Sequence, residues 1–73
     1  MEQSGGDYYE IVVKEPIDPS WSEWLEDFRI MRTEEKETRL SGRLKDQTAL
    51  YGLLDRLRDL NLTLILVIQV LGF

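Results

Sequence analysis

From Leu60 to Phe73 the chain carries no charged residue, and Thr63, Ile65, Val67, Ile68 and Val70 within that run are β-branched. As a helix it would extend about 21 Å, short of the roughly 30 Å hydrocarbon layer of a bilayer. Thr63, Gln69 and Gly72 dilute its apolar character further. A β-branched apolar run of this length reads as a buried strand instead. Whatever else the chain forms must cover that strand, and with 73 residues there is material for one domain near the lower limit of independent folding.

A second strand-like segment lies at the other end. In Tyr8–Lys14, Tyr9, Ile11 and Val13 share one face, and Tyr8, Glu10, Val12 and Lys14 the other. Pro16 and Pro19 end it, since proline removes a backbone donor and fixes φ. Ser20-Trp21-Ser22-Glu23 has the form of a capping box, with Ser20 as N-cap. Trp21, Trp24, Leu25 and Phe28 then recur at helical spacing. Residues 20–27 are short enough to form either an α-helix or a 3₁₀ turn. Between Phe28 and Gly42 two alternating runs flank Glu34-Glu35-Lys36-Glu37 and predict a hairpin with a charged tip. Asp46 is placed to cap a helix over Gln47–Leu60, whose Ala49, Leu50, Leu53, Leu54, Leu57 and Leu60 gather on one stripe. Asn61 suits a left-handed C-cap. In the last strand Leu62, Leu64, Leu66, Ile68 and Val70 form one face, and Thr63, Ile65, Val67, Gln69 and Leu71 the other.

The order β–α–β–β–α–β predicts an α+β fold of the ferredoxin-like kind: a two-layer sandwich with a short first helix, a four-stranded antiparallel sheet and both helices on one face. Residues 1–7, with neither a basic region nor an apolar core, read as a flexible N-terminal tail rather than a signal peptide, and residues 8–73 as a single domain. A cytoplasmic protein is expected.

The composition excludes much chemistry. Histidine and cysteine are both absent, which removes the commonest general base and metal ligand, thiolate catalysis and disulfides. No cofactor or metal site is expected, and the glutamates of the hairpin tip lack the spacing and glycine of a calcium loop. Carboxylates, lysines and Tyr8, Tyr9 and Tyr51 are the remaining titratable groups; nothing sets two acids on one defined face, so no enzyme is expected. The net charge is −5. Residues 1–37 carry 4 basic and 11 acidic side chains, and residues 38–73 carry 5 and 3. The two halves either attract each other within the domain or orient a partner. Arg56 and Arg58 stand 200° apart on the helix with Asp55 and Asp59 beside them, so they make no patch, and nucleic-acid binding is not expected.

The run Leu40-Ser41-Gly42-Arg43-Leu44-Lys45-Asp46-Gln47-Thr48-Ala49-Leu50-Tyr51-Gly52-Leu53-Leu54-Asp55-Arg56-Leu57-Arg58-Asp59-Leu60, continuing to Leu66, taken with Trp21-Ser22-Glu23-Trp24-Leu25, resembles a family of small uncharacterised bacterial and archaeal proteins. Their pattern is W-S-x-W-[LF] followed by L-x-G-x-[LV]-x-D-Q-x-A-L-x-G-L-L-x-x-[LV]-R-D-L. The resemblance spans nearly the whole chain apart from the tail and implies a compact α+β module, with no activity attached. The last strand here is more apolar than the family pattern leads one to expect.

Candidate functional residues follow from the sheet. With helices on one face, the other should be polar where it meets water. Pairing of the first strand with the last instead joins Tyr8 and Val12 to Ile65, Val67 and Leu71 in an apolar patch, a usual mark of a contact surface. The last strand also lies at a sheet edge without a charge to guard it. These features point to a non-enzymatic interaction or regulatory module that homodimerises through the outer sheet face or the last-strand edge, or takes a protein partner by strand addition. Gly52, on the helix face away from the leucine stripe, either admits close approach by another element or is a tolerated surface glycine. Trp21 and Trp24 either close one end of the core or stack a ligand. A metabolite-sensor domain, with its site near Gly42, Asp46 and Trp24, is the alternative function.

Overall fold

A computed structural model describes residues 7–70. It is an α+β domain: one four-stranded antiparallel sheet with a helix and a 3₁₀ segment packed on one face. Strand β1 spans Asp7–Val13, β2 Arg29–Arg32, β3 Thr38–Leu44 and β4 Leu64–Val70. The 3₁₀ segment covers Pro19–Leu25, between β1 and β2, and helix α1 covers Gln47–Asp59, between β3 and β4. The strands lie in the order β2-β3-β1-β4, every neighbouring pair antiparallel. Hence β1 and β2 run parallel with β3 between them, and β3 and β4 run parallel with β1 between them.

The inner face follows the alternation of the sequence. Tyr9, Ile11 and Val13 of β1 are buried with Leu40 and Leu44 of β3, and α1 covers them with Leu50, Leu53 and Leu57. Helix α1 begins where the capping argument places it. Asp46 is extended, and its carboxylate accepts the Ala49 N–H at 2.9 Å, supplying a partner to one of the free amides of the first turn. It ends at Leu60, and Asn61 takes the left-handed conformation at φ 61°.

The segment after β1 departs from the expected capping box. Asp18, not Ser20, is the N-cap, accepting the Ser20 N–H at 3.0 Å. Pro19 explains the shift: it has no N–H to satisfy and its fixed φ suits the first helical position, so the chain turns helical there and the cap falls to the residue before it. The segment is 3₁₀, and two consecutive left-handed residues, Glu26 (φ 63°) and Asp27 (φ 59°), terminate it. In a 3₁₀ helix residues three apart stand one above another. Ser22 and Leu25 therefore share the inward line, and Trp21 and Trp24 an outer one. Leu25 and Phe28 fill the end of the core. The two tryptophans remain exposed and pack edge-on to each other, centroids 5.6 Å apart, so they do not close the core as expected. The Ser22 hydroxyl donates to the Phe28 carbonyl at 2.7 Å and ties the segment to the start of β2.

Two side chains secure the strand ends. The Glu15 carboxylate accepts both the amide and the hydroxyl of Thr63, each at 2.6 Å, just ahead of β4. Buried Thr38 donates its hydroxyl to the Glu15 carbonyl at 2.8 Å. The hairpin tip is closed by Thr33, whose carbonyl accepts the Lys36 N–H and whose hydroxyl accepts the Glu37 N–H; Lys36 is left-handed at φ 67°. Residues 1–6 of the expected tail lie outside the described residues, while Asp7 belongs to β1. Among the described residues no helix is long and apolar enough to cross a membrane.

Candidate interaction surface

The register across the sheet decides what its uncovered face displays. On the outer side of β1 stand Tyr8, Glu10 and Val12. Tyr8 pairs with Arg43 and Val70, Glu10 with Ser41 and Ile68, and Val12 with Arg39 and Leu66. Continuing outward, Arg29 of β2 pairs with Ser41 and Met31 with Arg39. The face is thus divided. Leu66, Ile68 and Val70 make its β4 side apolar, and Arg29, Arg39 and Arg43 make its β2–β3 side cationic.

This arrangement corrects the expected patch. Val67 pairs with Ile11 and packs against the core on the inner side, so it does not belong to the outer face. Ile65 sits where the β1–β4 register shifts between Val12 and Val13, a bulge that inserts one extra residue in β4. The physical reason is that β4 is apolar at both parities. Its composition leaves the choice of face undetermined, and the pairing with β1 makes it. Val12 does occupy the outer face, but it is only 6% exposed and offers little contact area. Tyr8 is half-buried, with the Arg43 guanidinium 5.9 Å from its ring centroid. Leu71 lies outside the described residues. Gly52 is exposed on α1, with nothing within 4 Å of where a Cβ would stand, and α1 covers the inner face. It therefore shares no surface with the outer-face residues, and no element of the described chain approaches it.

The sheet edge is as expected. Among the described residues, strand β4 pairs only with β1. Leu64, Ile65, Leu66 and Ile68 are each 40–49% exposed, without a charged residue between Leu64 and Val70. Natural edge strands are usually shielded by lysine, proline, a bulge or short length. Here only the bulge is present, and it lies near the first residues of the strand.

The residues of the sensor reading are each engaged elsewhere. A Cβ on Gly42 would lie 2.6 Å from Cδ1 of Phe28, so that ring fills the space above it. Asp46 caps α1. Trp24 carries the Arg56 guanidinium over its ring at 5.6 Å, and Arg56 Nη1 donates to the Trp24 carbonyl at 2.6 Å and to Glu26 Oε2 at 3.1 Å. Arg56 thereby links the acidic first half of the chain to the second, while Arg58 pairs within its helix with Asp55 at 3.2 Å. Hydrogen bonds from the Thr63 hydroxyl and amide hold the Glu15 carboxyl below its ordinary value of 4.5.

Sequence reasoning missed the arginine cluster and the outward placement of Leu66 and Ile68. The signal for the arginines was present: Arg39 and Arg43 alternate with Leu40, Gly42 and Leu44, so they share the solvent side of a half-buried strand. No group of three or more acidic side chains suited to hold a metal ion occurs among the described residues. No curated protein and no solved structure matches the chain. A family model does, over residues 8–68, and the chain belongs to that family, the domain of unknown function DUF8691.

Proposed function

We propose that this domain is a ferredoxin-like sandwich, its first helix reduced to a 3₁₀ turn, that serves as a non-enzymatic interaction or regulatory module and homodimerises through the β4 edge. The sandwich reading is supported by the two connections. Each skips one strand, and both pack residues into the same core, Leu25 on one side and Leu50, Leu53 and Leu57 on the other. The dimer reading rests on one observation: among the described residues, an edge strand of uncharged, half-exposed residues pairs on one side only. Its occupant is a second copy of the chain. Antiparallel pairing of β4 with itself about a two-fold axis is isologous, so the same uncharged strand satisfies both partners. The bulge near Leu64 leaves Leu66–Val70 as the regular stretch for that pairing.

Light scattering after size exclusion, over a dilution series, tests the reading. The expected mass at high concentration is twice the 8.6 kDa of the chain. Ile68→Lys places a charge on the edge and yields the monomer with an unchanged circular dichroism spectrum. Met31→Glu, on the outer face of β2 at the opposite edge of the sheet, leaves the dimer intact. A wild-type monomer at every concentration refutes the proposal, and dissociation by Met31→Glu moves the contact away from the β4 edge to the sheet face or the β2 edge.

A further inference from the structure

The outer face of the sheet has a second property that edge pairing does not use. Arg29, Arg39 and Arg43 are all exposed on it, in a chain whose net charge is −5. Among the described strand residues facing that side Glu10 is the one carboxylate, and Glu34 and Glu35 of the hairpin tip border the track at its Arg39 end. Arg39 and Arg43 lie about 13 Å apart along β3, and Arg29, opposite Ser41 on β2, falls midway, about 8 Å from each by standard strand spacings. The three guanidinium groups therefore form a staggered track along the strand direction. About 10 Å to one side, across β1, runs a parallel apolar track of Leu66, Ile68 and Val70.

We propose that this face binds single-stranded nucleic acid, with phosphates along Arg39, Arg29 and Arg43 and bases laid across β1 and β4. The division of the face matches that of the ligand. A single strand carries anionic phosphates along one side and flat, weakly polar bases along the other, and proteins that bind it combine a cationic track with stacking surfaces. Guanidinium planes themselves accept stacked bases, and Arg43 already lies against the Tyr8 ring. An extended acidic peptide is less suited. Backbone groups of the inner strands β1 and β3 are paired on both sides, so the face offers a peptide backbone nothing to hydrogen-bond, and recognition must come from side-chain charge and stacking. The β2–β3 register brings these charges together, which is why the helix arginines alone gave no hint of such a surface.

Fluorescence anisotropy with labelled oligo-U and oligo-dT of about twelve nucleotides tests the proposal on the full chain, the two probes separating RNA from DNA. Three phosphate contacts give a slope of log K against log salt of about −2, so binding weakens about 20-fold between 50 and 200 mM salt. Each Arg→Gln change at position 29, 39 or 43 reduces that slope by about 0.7. The triple variant loses binding while keeping its thermal melt and its oligomeric mass, which separates this proposal from the β4 dimer. Three results overturn it. One is the absence of saturable binding of either probe at about 100 µM protein in low salt. Another is binding by the triple variant equal to wild type. The last is displacement of the probe by polyglutamate or by a duplex at equal charge concentration, which would mark a site for acidic polymers in general.

Discussion

Replacing Gly42 with alanine puts a methyl group where the Phe28 ring already lies. The new Cβ would stand 2.6, 2.9 and 3.0 Å from Cδ1, Cε1 and Cγ of that ring, whereas carbon atoms in contact settle at about 3.5–4.0 Å. The ring must therefore retreat by roughly 1 Å. Phe28 is fully buried among Leu25, Leu40 and their neighbours, and a close-packed core has no void to receive it. Two effects compete. Loss of glycine's freedom in the unfolded chain favours alanine by about 0.4–1 kcal/mol, and overpacking disfavours it by about 1–3 kcal/mol. Overpacking wins because the obstructing atoms belong to a rigid ring rather than a flexible tip. The net expectation is a loss of about 1–2 kcal/mol, or a Tm lowered by roughly 4–16 °C for a domain of this size. Urea unfolding followed by far-UV circular dichroism is the suitable assay, since both tryptophans are exposed in the folded state and give a weak fluorescence contrast. A double-mutant cycle with Phe28→Leu isolates the cause. In the leucine background Gly42→Ala costs less by at least about 1 kcal/mol, because the smaller side chain leaves room. Equal costs in the two backgrounds, within about 0.5 kcal/mol, refute the argument, as does a Gly42→Ala protein as stable as wild type.

The glycine of helix α1 gives the opposite sign. Gly52 has open space where a Cβ would point, so Gly52→Ala stabilises the domain by about 0.8–1 kcal/mol, the helix-propensity difference, measured by the same urea titration; a destabilised variant means that another subunit packs there. Acid provides a further test. The Glu15 carboxyl titrates below its ordinary value in the folded chain because Thr63 donates two hydrogen bonds to it. Its contribution to stability is therefore fully present above about 4.5 and is lost as pH falls through the lowered folded value. Glu15→Gln accordingly loses stability at pH 7 and shows a shallower further decline on acidification than wild type, read as the urea midpoint at about pH 7 and about pH 3. Parallel declines in the two proteins exclude the Thr63 clamp as the cause.

The elements whose periodicity is one-sided were legible in advance. Tyr9, Ile11 and Val13 alternate with more polar neighbours, so their burial follows from the two-residue repeat alone. The stripe Leu50, Leu53 and Leu57 follows from the helical repeat, and Asp46 and Asn61 mark its ends by local backbone chemistry. The 3₁₀ segment was half legible. Its aromatic spacing suits a helix, but two αL residues without glycine, at Glu26 and Asp27, carry no clear signal in composition. Arg56 was assigned to its own helix, whereas its partners Trp24 and Glu26 are thirty or more residues away.

Sequence by itself therefore determined the order of the elements, the faces of β1, β3 and α1, and the uncharged character of the last strand, because each depends on neighbours within a few residues. Tertiary structure alone decided which side of β4 turns inward, since a strand apolar at both parities has no intrinsic preference and takes its register from β1 and from the bulge at Ile65. It also decided that Arg29, Arg39 and Arg43 stand together on one face and that Trp21 and Trp24 stay outside the core. Those outcomes depend on pairings between distant segments, and the surface proposed to bind partners is built entirely from such pairings.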